Sequence, residues 1–121
     1  MAKRTSEIVS SAVDPRIMIV LTTLGANADA AALAQTLVDE RLAACVNILP
    51  VMTSIYRWKG QVEQAREQQL VIKTSADRVE ALEARLRALH PYDVPEFLVL
   101  PVDGGADVYL RWVRENTTPA G

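Results

Sequence analysis

The segment that most restricts the fold is His90-Pro91-Tyr92-Asp93-Val94-Pro95-Glu96. Each proline lacks an N–H, fixes its own φ and holds the residue before it extended. No helix or strand interior accepts that, so 90–96 must be a stiff, ordered loop. Val79, Leu82, Leu86 and Leu89 recur at helical spacing on one side of it, and Phe97 to Val102 is an apolar strand pattern on the other. The loop also holds the chain's one histidine, a tyrosine and two carboxylates. Such side chains act from loops that a rigid scaffold positions.

The rest of the chain can be read outward from that loop. Residues 1–15 are rich in serine and charge, lack periodicity and read as a flexible leader ending at Asp14-Pro15. Ile17 to Leu21 is a continuous apolar run, suited to a central strand, and Gly25 ends it. Asn27 or Asp29 can cap a helix whose stripe is Leu33, Ala34, Leu37, Val38 and Leu42. Cys45 to Trp58 is strand-like, with Pro50 marking an edge position or a bulge. Lys59-Gly60 makes a hairpin turn, and the chain returns to a strong strand pattern at Leu70 to Thr74. Asp77 and Glu80 have capping-box spacing ahead of the second helix, and Asp107 can cap a short last helix through Tyr109, Trp112 and Val113. Residues 117–121 read as a frayed tail.

The order strand, helix, strand, strand, helix, strand predicts an α+β, ferredoxin-like split β-α-β fold over residues 16–116, βαββαβ plus a short C-terminal helix. Right-handed crossovers place both main helices on one face of an antiparallel sheet and leave the other face uncovered. The middle hairpin is also too long for the domain. The fourteen residues of 45–58 span about 46 Å at ~3.3 Å each, against a diameter of roughly 35 Å for a domain this size. The hairpin must bend at Pro50, overhang, or both. An overhang carrying Ile55, Tyr56 and Trp58 predicts a homo-oligomer built through residues 45–74.

Composition removes several function classes. The 121 residues carry a net charge of −2 with no basic block, which argues against a nucleic-acid partner. One cysteine and one histidine rule out an internal disulfide and a four-ligand zinc site within one chain, and fit a reducing cytoplasm. The apolar run 17–24 is at the short end for a signal core, Glu7 and Asp14 interrupt the basic residues ahead of it, and no run reaches the ~20 apolar residues of a membrane helix. There is no nucleophile motif, Walker A loop or acid–base pair placed by motif, so an enzyme is not expected.

Five stretches together resemble the CutA divalent-cation tolerance family: Leu42 to Ile48, Ser54 to Gly60, Ile72-Lys73-Thr74, His90 to Glu96, and Tyr109 to Trp112. They stand in family order and cover about residues 16–114. The resemblance implies a ferredoxin-like subunit of a tight homotrimer, similar in assembly to PII-like signal transducers, with a role in tolerance to divalent metals, copper above all, and no catalytic reaction. It also implies metal contacts at a cysteine ending the first strand, a histidine just ahead of the His-Pro pair, and the glutamate of the Pro-Glu pair. In this chain those positions are Thr22, Leu89 and Glu96, so only Glu96 is kept, with His90 adjacent.

The candidate metal residues are therefore His90 and Glu96. His90 can ligate a divalent ion through a neutral imidazole, or can bond the last carbonyls of the preceding helix. Glu96 can supply a hard oxygen ligand, or can accept backbone N–H groups of its own loop. Cys45 reads as a core residue, with a soft metal ligand as the alternative. Tyr56, Arg57 and Trp58 read as oligomer interface, with a small-molecule platform as the alternative. Lys73 can pair with Glu96 or Glu67 across subunits, and Asp103-Gly104-Gly105 reads as a turn. The functional expectation is a non-enzymatic trimer that responds to a divalent cation near the 90–96 loop, with no required cofactor. The alternative is a PII-like module that senses a small molecule or partner in clefts between subunits.

Overall fold

A computed structural model describes residues 14–120. The leader expected over residues 1–15 lies almost wholly outside them. The central strand is β1, Ile17–Gly25, paired antiparallel with β4, Gln61–Ser75, on one side and β5, Leu98–Pro101, on the other. β2, Cys45–Ile48, and β3, Met52–Trp58, both pair with β4, giving a five-stranded sheet of order β2-β4-β1-β5 with β3 continuing along β4. Helices α1, Ala30–Asp39, and α2, Val79–Leu89, are the crossovers, and α3, Asp107–Glu115, follows β5. This is the ferredoxin-like arrangement expected.

Pro50 acts as its chemistry requires. Ile48 pairs with Leu70 and Met52 with Glu67, so three residues on one strand face two on the other. That is a bulge, and it divides the expected single strand into β2 and β3. Beyond it, Lys59 and Gly60 take φ of 50° and 80°, the double positive φ of a type I′ turn. Residues 61–66 of β4 pair only with β3 and continue past the end of β1. The hairpin overhangs the sheet by about 20 Å at ~3.3 Å per residue.

Both main helices cover one face. Val20 and Ile72 from the strands, Leu37 from α1, and Leu82 and Leu86 from α2 form one buried cluster. Ile17 and Ala44 pack with Val113 of α3 in a second. Strand alternation puts Ile19, Leu21, Val71, Leu98 and Leu100 on the opposite face, and Met52, Tyr56 and Trp58 extend that face along the hairpin. No helix covers it: Leu98 and Leu100 are 54% and 46% exposed.

Helix ends follow the sequence in part. Asp29 caps α1, its side chain accepting the Ala32 N–H at 3.0 Å. α1 stops at Asp39, shorter than its stripe suggested, because Arg41 takes φ of 60° and the Leu42 N–H turns back to the Leu37 carbonyl. The Asp77–Glu80 capping box does not form. Ala76 to Arg78 is a 3₁₀ turn held by the Ala76 N–H on the Arg16 carbonyl, and no side chain caps α2. Asp107 is the first residue of α3, not its cap. Thr117, assigned to the tail, is buried; its hydroxyl donates to the Val113 carbonyl and meets the Ser75 hydroxyl.

Candidate functional site

The 90–96 loop is pinned to the sheet at three points. His90 ends α2 with an extended ψ of 134°, as Pro91 demands, and its N–H still bonds the Leu86 carbonyl. Its ring is buried against β1. Nδ1 accepts the Tyr92 N–H at 3.1 Å, so the ring proton is on Nε2, which donates to the Thr23 carbonyl at 2.6 Å. The Tyr92 ring meets His90 edge-on at 4.8 Å, and its hydroxyl donates to Glu67 Oε2 at 2.8 Å. Glu96 Oε2 accepts Gln69 Nε2 at 2.9 Å, and the same amide donates to the Thr22 carbonyl at 2.8 Å.

These contacts set the electrostatics. The Tyr92 phenol is pushed up to about 12, first by burial, then by its hydrogen bond to Glu67, then by the charges of Glu67 and Tyr56. Glu67 is only 8% exposed, and Tyr92 is its one side-chain partner among the described residues.

The loop is a wall between two cavities. One, of about 560 Å³, lies between the loop and the aromatic face of the hairpin, with Tyr56, Trp58, Glu67, Tyr92, Asp93 and Glu96 around it. The other, of about 460 Å³, lies toward α2, beside Thr22, Glu83 and Arg87. Thr22 is fully buried, and its hydroxyl has no hydrogen-bond partner among the described residues.

The structure thus brings His90 and Glu96 to the same loop, each tied to the sheet. Both His90 nitrogens are occupied, and no three His, Cys, Asp or Glu side chains are grouped to hold an ion among the described residues. Cys45 sits apart, half-buried at the start of β2, with its sulfur 3.9 Å from Asn47 Oδ1. Lys73 bonds Asn47 Oδ1 within its own chain. Arg57 turns to the Gly60 carbonyl at the hairpin tip, while Tyr56 and Trp58 face the large cavity. Asp103 pairs with Arg16 at 2.9 Å. Sequence reasoning missed Glu67 and Gln69 as the anchors of the loop. Their signal was present: Glu67-Gln68-Gln69 is a polar run leading straight into a core strand.

A family profile described as the CutA1 divalent ion tolerance protein matches residues 18–116. The divalent-cation tolerance protein CutA of Thermus thermophilus is 50% identical over 99 residues, covering 82% of this chain and 96% of that protein. A solved Thermus thermophilus structure superimposes with a TM-score of 0.81 at 48% identity, covering 84% of this chain and 99% of that one. A PII-like protein CutA from Nostoc sp., in apo form, gives a TM-score of 0.78 at 37% identity, with 85% and 99% covered. The chain spans 59% of the chloroplastic Arabidopsis thaliana relative and 48% of the human one. No helix among the described residues is long and apolar enough to cross a membrane.

Proposed function

This chain belongs to the CutA1 divalent ion tolerance family, and from that premise we propose that it works, without catalysis, as a homotrimer in divalent-metal tolerance, with copper(II) as the ion. The observation that carries the oligomer is the uncovered sheet face. Ile19, Leu21, Leu98 and Leu100 form an apolar surface, continued by Tyr56 and Trp58 on an overhanging hairpin with free edges. Copies packed through this face and residues 45–74 bury it and pair the edges. With one cysteine in the sequence, the reducing cytoplasm is the proposed setting.

The described residues of one chain group too few donors for a closed metal site. Glu96 has one oxygen engaged by Gln69 and a second able to face an ion, so a site shared between copies suits it. His90 joins only by releasing the Thr23 carbonyl or the Tyr92 N–H. Calorimetry with copper(II) on the wild type, Glu96→Gln and His90→Gln tests this. Heat lost in Glu96→Gln alone assigns the ion to the carboxylate, and heat lost in both brings in the imidazole. Equal heats from all three proteins remove the loop from metal binding. Sedimentation equilibrium at micromolar concentration tests the trimer, and a monomer there ends it.

The about 560 Å³ cavity favours a second reading, a PII-like sensor of a small molecule. It has the size of ordinary ligand pockets, mixed apolar walls and a few convergent polar groups. A thermal-shift screen tests it, because a ligand of the native state raises the melting temperature.

A further inference from the structure

We propose that the cavity between α2 and the 90–96 loop binds a small neutral carboxamide. This cavity, of about 460 Å³, is the one on the helix side of the loop. Its floor carries the argument. Thr22 follows Val20 by two residues on β1, so both point to the helix-covered face, where a core residue belongs. Thr22 is fully buried, yet its hydroxyl has no hydrogen-bond partner among the described residues. A buried hydroxyl without a partner destabilises the fold, and valine has the same shape without that cost. A hydroxyl kept there, at the wall of a cavity, points to a bonding partner that enters the cavity.

The remaining walls define that partner. Leu86, Val94, Pro95 and Phe97 supply apolar lining for a compact hydrocarbon body. The charges reject an anion: Glu83 and Arg87 neutralise each other at 3.0 Å, and the carboxylates of Asp93 and Glu96 are left over. An ammonium would face Arg87 and lose its hydration among the apolar walls. A neutral hydroxyl is a poor ligand for copper(II), so this site is separate from the metal reading. Thr22 and Glu96 are close together, because one amide nitrogen, Gln69 Nε2, donates to the Thr22 carbonyl at 2.8 Å and to Glu96 Oε2 at 2.9 Å. Both residues also line the cavity, and there the Thr22 hydroxyl and the second Glu96 oxygen are not engaged by Gln69. A primary carboxamide answers the two at once. Its carbonyl accepts from the Thr22 hydroxyl, and its N–H donates to the Glu96 carboxylate, the stronger kind of hydrogen bond. Gln69 already makes an amide bond of that second kind with Glu96.

Four probes that share an isopropyl body test this: isobutyramide, isobutyrate, 3-methylbutan-2-one and isobutylammonium. Each is titrated into the isotopically labelled full chain, with backbone amide shifts followed by NMR. Ligands this small bind at millimolar concentration. Isobutyramide should bind at least about tenfold more tightly than isobutyrate, and severalfold more tightly than the ketone or the ammonium. Its shifts should centre on Thr22, Leu86 and Phe97 and leave the indole N–H of Trp58, which borders the other cavity, unmoved. Thr22→Val should weaken isobutyramide about tenfold and raise the melting temperature of the free protein, because it deletes the unpaired hydroxyl and keeps the shape. Shifts centred on Trp58, undiminished binding to Thr22→Val, or equal binding of isobutyrate or the ammonium overturns the proposal. So does silence from all four probes. A lower melting temperature for Thr22→Val also overturns it, since the hydroxyl is then paired in the free protein. If the valine variant folds poorly, the probe ranking and the shift map of the wild type still decide.

Discussion

Replacing His90 by alanine should destabilise the protein by about 3 kcal/mol. The ring makes two hydrogen bonds to backbone groups, to the Thr23 carbonyl at 2.6 Å and from the Tyr92 N–H at 3.1 Å. Thr23 is buried, so its carbonyl loses its partner where water replaces it poorly. A hydrogen bond is worth roughly 1 kcal/mol net, and an orphaned buried group costs about 1–3 kcal/mol. The two together give the figure. His90→Gln keeps a donor able to reach Thr23 and should recover about half of the loss.

The assay is guanidinium unfolding followed by the fluorescence of Trp58 and Trp112, at one fixed protomer concentration. At about 3 kcal/mol per molar denaturant, His90→Ala should lower the midpoint by about 1 M with an unchanged slope. One histidine in the chain also makes the imidazole nitrogen spectrum unambiguous, and it should show the proton on Nε2. A midpoint within error of wild type, or a proton on Nδ1, refutes the argument that this ring is the strut of the loop.

Tyr92 supplies a pH prediction. Its phenol titrates near 12 in the folded state against about 10 unfolded, so between those values the unfolded chain has given up the proton and the folded chain keeps it. Stability is therefore whole below pH 10 and falls as pH rises toward 12. Because 37% of Tyr92 is exposed, solvent screening holds the loss to about 1 kcal/mol. Unfolding midpoints at pH 9 and 11 should show the fall in wild type and not in Tyr92→Phe. Arg41 holds φ of 60° at the end of α1, where glycine is unstrained. Arg41→Gly should raise stability by about 0.5 kcal/mol, net of the exposed Arg41–Glu115 hydrogen bond, and a lowered midpoint contradicts this. Leu100→Glu alters a residue on the uncovered face and should leave an isolated subunit within about 0.5 kcal/mol of wild type. In sedimentation velocity it should convert the proposed trimer to a folded monomer. A variant that still sediments with wild type moves the contact elsewhere.

How far the sequence spoke depended on the range of each interaction. Asp29 as a cap, Pro50 as a bulge and Lys59-Gly60 as a turn were all legible, since each is decided by a residue and its near neighbours. Asp77 misled for the opposite reason. Its capping spacing is local, but the chain leaving β4 is fastened by Arg16 into a 3₁₀ turn, and that tertiary bond set where α2 begins. The candidate site lies at the far end of the same scale. His90 stood out at once, yet its partner Thr23 is 67 positions away, and so its role as a strut was not readable.

Charge makes the same point with a functional consequence. A net −2 spread along the chain named no ligand. The fold then sorts those charges. Strand alternation and the loop collect Glu67, Asp93 and Glu96 beside three aromatic rings, while Arg57 turns to the hairpin tip and Lys73 to Asn47. The platform expected of Tyr56, Arg57 and Trp58 keeps its two aromatic residues on the cavity and loses Arg57 from its walls. That sorting is a property of the topology, since it is the register of β3 on β4 that puts Tyr56 and Trp58, not Arg57, on the side of Glu67.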